Sequence, residues 1–270
     1  MGALGVLAGM VVLAGGLWMA AHAMSWWWSR DEKRTAAFAA QAERLGVDFV
    51  ATDALHATWE PFPLFGLGAR REATNIVHGA WGGVAMRAFD YSFEQPSDGS
   101  SALAAPRRRL TCAVAEIDAS CPRIVIGPAT LSSRLGEVAG STEIRLESEA
   151  FNERFRVECE DRRFATTLMD QRMMAWLLAS PAGLAFELRD DRMLCVSERL
   201  SPASLPMLLE AVRGFHDRIP RVVASLYPPR SMGPEAPRGL GAGGIPPAVA
   251  LAQPAGSLGR DVSASGRPSR

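Results

Sequence analysis

The sequence predicts an α+β fold: one N-terminal transmembrane helix followed by a single soluble domain of antiparallel hairpins packed with helices. Three features predict it. An unbroken apolar run opens the chain, two apolar runs flank a Gly-Gly pair at residues 82–83, and two later segments repeat apolar residues at helical spacing. At 270 residues the chain has room for one core of ordinary size with appendages.

Residues 1–28 are predicted to form a transmembrane anchor with an aromatic flank. From Ala3 to Met24 the chain is apolar or small except at His22, which gives about the twenty residues that a helix needs to cross a bilayer. The tryptophans at 26–28 follow, and this residue type is favoured at the headgroup level. The first predicted partner is therefore the lipid bilayer, through residues 3–24.

The charges beside this run predict its orientation. No Lys or Arg precedes the run, whereas Arg30, Lys33 and Arg34 follow it, so the N-terminus is predicted outside the cell membrane and the soluble domain in the cytoplasm. A cleaved signal peptide is the alternative, because residues 21–23 read Ala-His-Ala, but a charged start is missing and the apolar run is long for one. Gly5 and Gly9 form G-x-x-x-G, which allows a weak homodimer through the anchor helix.

Charge and cysteine content limit the partners. Lys+Arg and Asp+Glu each total 29, so no net field favours nucleic acid, and no nucleic-acid partner is predicted. The cysteines lack the spacing of a zinc site and are predicted to be buried free thiols, with two disulfides as the alternative in an oxidising compartment. They are Cys112, Cys121, Cys159 and Cys195.

A juxtamembrane helix is predicted over 29–47, and the soluble domain over 48–227. The helix runs from Asp31 to Leu45 with Gly46 as its stop, and a strand follows at 48–51. A proline-containing loop then carries apolar side chains that either pack under the domain or lie on the bilayer. They are Trp59, Phe62, Leu64 and Phe65.

The rest of the domain alternates strand and helix signals. The clearest is a hairpin of 75–81 and 84–93 around the Gly-Gly pair. Further strands are predicted at 107–117, 123–126, 143–146 and 154–158, helices at 161–177 and 201–219, and a second hairpin of 184–188 and 193–196 with Asp190-Asp191 at its tip. Residues 228–270 are rich in Pro, Gly and Ala and are predicted to be a disordered tail.

Two stretches of the domain carry a family resemblance. One is Asn75-x-x-x-Gly79-x-Trp81-Gly82 leading to Phe89-Asp90-Tyr91; the other is Glu147-Ser148-Glu149-x-Phe151-Asn152-x-x-Phe155-x-Val157 continuing to Asp161, Phe164 and Met173-Met174. With them the chain resembles an uncharacterised family of actinobacterial membrane-anchored proteins over residues 31–227. The resemblance implies a membrane-anchored α+β domain and brings no activity, cofactor or catalytic residue.

No catalytic, cofactor-binding or metal-binding residue is assigned from the sequence, and no cofactor is predicted. Asp90, in an apolar strand, is either a buried acid or base or a solvent-facing carboxylate. Asn75 and Asn152 are expected at turns, and Arg107–Arg109 form either a solvated strand entry or a contact for anionic lipid. The remaining candidates are a possible cation-binding group, Glu147, Glu149 and Glu153, and the dispersed histidines His56, His78 and His216, which suggest no triad.

Two functions fit these observations. The preferred one is a non-enzymatic, membrane-tethered interaction or scaffolding domain, whose hairpin or aromatic loop binds a membrane protein partner. The alternative is a membrane-tethered hydrolase or transferase with a carboxylate site built from Asp90 and the glutamates at 147–153. Convergence of these carboxylates in one deep pocket would favour the enzyme, and their dispersal would favour the interaction protein.

Overall fold

The structure is a computed structural model that describes residues 15, 16, 18, 19, 22, 31–52, 61–95, 106–132, 135 and 142–229. Of the predicted anchor, the few described positions are helical, and Trp18 stacks on His22 with ring centroids 5.3 Å apart. Within the described ranges, no helix is long and apolar enough to cross a membrane. The rest of the predicted anchor, Trp59, and the predicted tail beyond Pro229 lie outside the described residues.

The described elements confirm the α+β class. The strands are β1 (Asp48–Thr52), β2 (Ala69–Trp81), β3 (Val84–Glu94), β4 (Arg107–Gly127), β5 (Thr142–Glu143), β6 (Arg156–Cys159) and β7 (Leu184–Glu198). The helices are α1 (31–45), α2 (Ala129–Ser132), α3 (Glu149–Arg154), α4 (Arg162–Leu168), α5 (Gln171–Ala179), α6 (Leu205–His216) and α7 (Arg221–Leu226).

The strands form one antiparallel sheet in the order β1-β2-β3-β4-β6-β5, with β7 also paired to β4. The predicted hairpin is confirmed: β2 and β3 pair from Trp81 opposite Val84, and both turn glycines have positive φ, 57° at Gly82 and 86° at Gly83. The centre of the sheet is β4, which pairs with β3 along its first half and with β6 at its end.

The second predicted hairpin is wrong. Residues 184–198 form the single strand β7, and its partner β4 joins the two segments predicted separately at 107–117 and 123–126. Both strands are irregular at the same level, where Cys121 lies opposite Asp190 and Asp190 has a φ of 52°. Pro122 lies at this bulge in β4, a position where a missing backbone N–H is tolerated.

The bulge reverses the alternation of side chains along both strands. In β4, Ala113 and Ala115 face the helices before it, and Ile124 and Ile126 face them after it. A bulge adds residues to one strand, so the positions that face the helices switch from odd-numbered residues before the bulge in β4 to even-numbered residues after it. The alternation of apolar residues in the sequence is therefore interrupted although the strand continues.

Helices cover one face of the sheet. Helix α1 buries Phe38 and Ala42 against it, and α6 buries its apolar stripe, including Leu208, Val212 and Phe215. The helix predicted over 161–177 is two helices, because Asp170 accepts a hydrogen bond from the Met173 backbone N–H at 2.8 Å and starts α5 anew. The predicted polar turn around Asn152 is the short helix α3, which Ser148 caps.

The opposite face of the sheet carries a second apolar cluster. A 3-10 turn over Pro63–Gly66 places Leu64 and Phe65 against this face, and Leu131 and Leu135 lie in the same cluster. The phenol of Tyr91, which is fully buried there, donates a hydrogen bond to the Phe65 carbonyl at 3.2 Å. Both faces of the sheet are thus buried over its central strands.

Candidate functional site

Asp90 lies on the helix-covered face of β3, where it is 5% exposed. Arg34 of α1 donates two hydrogen bonds to its carboxylate, from Nε to Oδ2 at 2.6 Å and from Nη2 to Oδ1 at 2.8 Å. Asn75 Nδ2 donates to Oδ2 at 2.9 Å, and Thr111 Oγ1 donates to Oδ1 at 3.0 Å. With four donors in place, this carboxylate is fully engaged as a structural anion.

The same network reaches the chain after β7. Arg34 Nη2 also donates to the Leu200 carbonyl at 2.7 Å, and the Leu200 N–H donates to Thr111 Oγ1 at 2.9 Å. One cluster of hydrogen bonds therefore joins α1 to three strands and to the segment that leads into α6. The solvent-facing interpretation of Asp90 is wrong, and the group supports the fold through a buried, bidentate ion pair.

Neither asparagine lies at a turn, which corrects that prediction. Asn75 occupies a bulge inside β2 with a φ of 55°, and its Oδ1 is buried without a hydrogen-bond partner among the described residues. Asn152 lies in α3 and binds the Leu146 backbone twice: its Oδ1 accepts from the N–H at 3.0 Å and its Nδ2 donates to the carbonyl at 2.7 Å. Asn152 thus fixes the backbone at Leu146, whereas the amide of Asn75 supports the side chain of Asp90.

The carboxylates of the proposed enzyme site do not converge. Glu147 lines a cleft beside α4 and α5, Glu153 lines a smaller one of about 260 Å³ beside β6, and Asp90 lines neither. His78 lies 3.8 Å from Asp48 at the sheet edge, and His216 lies 3.7 Å from Asp217 on α6; His56 is outside the described residues. Among the described residues, no three Asp, Glu, His or Cys side chains could hold a metal ion together.

The larger cleft is the candidate site that the structure adds. It has a volume of about 740 Å³ and lies between residues 145–148 and helices α4 and α5. Its apolar lining includes two methionines, a flexible residue type that adapts to different ligand shapes. The apolar lining residues are Leu146, Met169, Met174, Ala175 and Leu178.

The polar rim of this cleft holds charges that the fold does not use. Arg145 and Arg162 are exposed, and within the described part of the chain neither guanidinium makes a hydrogen bond or an ion pair. Glu147 also lines the cleft, whereas Asp170 is occupied in capping α5. The cleft can therefore take a ligand that presents apolar groups to its floor and a carboxylate to its arginines.

A buried ion pair on the other face of the sheet was not anticipated. Arg123 donates from Nε to Glu187 Oε1 at 2.6 Å and from Nη2 to the Leu135 carbonyl at 2.9 Å. Burial raises the pKa of Glu187, with the hydrogen bond from Arg123 acting in the opposite direction. The pair ties β4, β7 and the segment at Leu135 together, and no sequence signal marks it, because its partners are 64 residues apart.

The aromatic loop belongs to the core. Phe62 and Phe65 are 2% and 4% exposed, so this part of the loop packs under the domain, and the alternative that it lies on the bilayer is wrong for these residues.

All four cysteines are free and buried, as predicted. Burial raises the pKa of Cys121 to about 12 and of Cys159 to about 11, which makes both thiols poor nucleophiles.

Comparisons with known proteins identify the fold. No family model matches the chain, and no curated protein matches it. Among solved structures, the chain is similar to the mycobacterial trehalose monomycolate transport factor A, TtfA, with a TM-score of 0.53 and 14% sequence identity. The match covers 72% of this chain and 96% of that one. At this identity the likeness shows a shared fold, and the resemblance to an actinobacterial membrane-anchored family stays a prediction.

Proposed function

We propose that this chain is a membrane-tethered interaction protein that docks a segment of a membrane-protein partner in the cleft beside α4 and α5. Residues 3–24 hold it in the cell membrane, with the N-terminus outside and the folded domain on the cytoplasmic side. The partner segment places apolar side chains on the cleft floor and an acidic group between Arg145 and Arg162.

The cleft is the observation that carries this proposal. Arg145 and Arg162 flank an open apolar floor, and neither guanidinium has a partner among the described residues, whereas Arg34, Arg123 and Arg213 are held in ion pairs. Apolar surface with polar groups at its rim is the usual composition of a binding site. The hairpin tip and the apolar loop were the earlier candidates; the loop is buried, and the tip packs against Arg213 of α6.

The fold comparison supports a non-enzymatic role. The solved protein of similar fold is described as a transport factor, and a tethered domain that recruits or positions a partner suits an accessory role of that kind. Asp90 is engaged by Arg34, and Glu147 and Glu153 line separate clefts, so the described residues do not bring together the carboxylates on which the hydrolase or transferase alternative depends.

The test is to recover the full-length protein from its native membranes after mild crosslinking and to identify what co-purifies. The double variant R145E/R162E should lose the partner, because it reverses both charges on the rim. The control R163E/R172E reverses two charges on α4 and α5 outside the cleft and should retain the partner. Equal recovery with both variants, or recovery of the chain alone, contradicts the proposal.

A further inference from the structure

The strand ends nearest to α1 form a basic surface. Register pairs Ala69 with Glu94, Glu94 with Arg107, and Leu110 with Glu198, so the start of β2, the end of β3, the start of β4 and the end of β7 lie at one end of the sheet. We call it the basic end. Its cations are Lys33, Arg70, Arg71, Arg107, Arg108, Arg109 and Arg199, and its carboxylates are Asp31, Glu32, Glu72, Glu94 and Glu198.

Contacts place the start of α1 at this end. Arg199 Nη2 lies 3.2 Å from Asp31 Oδ1, and Arg34 reaches the Leu200 carbonyl. Burial lowers the pKa of Arg109, the neighbouring cations Arg199 and Arg107 also lower it, and Asp31 and Asp90 act in the opposite direction. A surface of this kind favours an anionic ligand, because a ligand relieves the repulsion among its cations.

The predicted anchor places the basic end close to the lipid headgroups of the membrane. Asp31 is seven residues after Met24, so even a fully extended link of about 25 Å keeps the basic end close to the membrane. The ion pair between Arg34 and Asp90 fixes the position of α1 relative to the sheet. The end of the sheet that carries the excess of arginine is therefore the end that the tether holds against the headgroups.

We infer that the basic end of the sheet binds anionic phospholipid headgroups and so fixes the orientation of the domain on the bilayer. This inference rests on the proposed membrane tether and is separate from the partner cleft. Arg71 and Arg108 are the residues best placed to act, because they are exposed and their hydrogen bonds go to neutral groups, the carbonyls of 65 and 66 and the Gln95 amide. Phosphate oxygens are stronger acceptors than either and would replace them.

The experiment uses full-length protein in lipid nanodiscs of phosphatidylcholine, with and without phosphatidylglycerol. A fluorophore on A69C, an exposed position at the basic end, reports proximity through quenching by a headgroup-labelled lipid. The native thiols do not compete, because all four are buried. Quenching should rise when phosphatidylglycerol is present and fall again as salt is added, since the contact is electrostatic.

The variant R71Q/R108Q should lose at least about half of the phosphatidylglycerol-dependent quenching. The control R163Q/R172Q, which removes the same charge from α4 and α5 outside the cleft, should retain all of it. Equal quenching with and without phosphatidylglycerol in protein that co-elutes with nanodiscs overturns the headgroup contact alone. Failure to co-elute with nanodiscs overturns the tether and the headgroup contact together.

Discussion

The carboxylate of Asp90 fixes the position of the whole helix α1 through its ion pair with Arg34. Its partner Arg34 is 13% exposed and belongs to α1, the first described element after the predicted anchor. Breaking a buried ion pair is far more costly than breaking an exposed one, because it leaves the other charge unpaired in a poorly solvated site.

We expect Asp90→Ala to lower the free energy of unfolding by about 3–5 kcal/mol. The double variant R34M/D90A should cost less than the single change, since it leaves no unpaired charge. Glu72→Ala is the control: its pair with Arg107 is solvent-accessible and should contribute at most about 1 kcal/mol. Urea unfolding measures all three, and a cost for Asp90→Ala no larger than that of the control would refute the anchoring role.

Tyr227 and Asp161 provide a pH-dependent test at the same scale. The phenol donates to Asp161 Oδ2 at 2.7 Å, and this hydrogen bond is the main cause that holds the pKa of Asp161 below its usual value of 3.8. A lowered pKa means that the folded state favours the ionised form. The resulting stabilisation is present above the usual pKa and is lost as the pH falls through the folded-state value.

Tyr227→Phe should therefore destabilise the protein by about 1 kcal/mol at neutral pH, and the difference from the parent should shrink in acid. The phenyl ring keeps its edge contact with Phe164, whose ring centroid lies 5.0 Å away. Denaturant unfolding at neutral pH and below pH 3.8 measures the two differences. A difference that is unchanged or larger in acid would show that another group carries the effect.

At the scale of elements, local patterns predicted the local elements. Helix α1, the β2–β3 hairpin and α6 each have an uninterrupted period, a clear stop signal, or a turn that glycine permits. The long β4–β7 pair was misread because its bulge shifts the parity of both strands and places Pro122 and two aspartates inside them. Helix α7 was missed, since only Val223 of its six residues is buried and no apolar period marks it.

The packing of α6 on α5 gives a prediction for this scale. A Cβ at Gly214 would lie 2.8 Å from Trp176 Cζ2, and the Trp176 ring is held by Phe186, Phe215 and Arg218. Gly214→Ala should destabilise the protein by about 1–3 kcal/mol, although Ala alone favours a helix by about 1 kcal/mol. Thermal unfolding measures the change in stability. An increase in melting temperature would contradict the prediction, because it would show that α5 and α6 can move apart without loss of stability.

For the whole molecule, the candidate site was less predictable than the fold. The sequence singled out Asp90 and Glu147, but Asp90 pairs with an arginine 56 residues away, and the cleft beside Glu147 requires three separate elements to meet. Contacts between residues so far apart in the chain produce no repeating pattern in the local sequence. One signal was readable: a lone aspartate within an apolar strand requires a buried partner, and Arg34 lies on the face of α1 that carries Phe38.

The tether, the basic end and the cleft form one account of how the domain works. In the proposed arrangement, the membrane holds the strand ends beside α1, the domain keeps a fixed orientation, and the cleft beside α4 and α5 is presented to a partner in or near the bilayer. In this account the buried ion pairs keep the sheet and its helices rigid, and recognition depends on exposed groups that the fold does not use.

The central claim is that the cleft is the docking site, and photocrosslinking in native membranes tests it most directly. A photoreactive residue at Thr166, which lines the cleft, should yield one discrete adduct with a membrane protein. The same probe at Arg163, exposed on α4 outside the cleft, should yield none. Adducts of equal yield from both positions, or none from Thr166, would contradict the account.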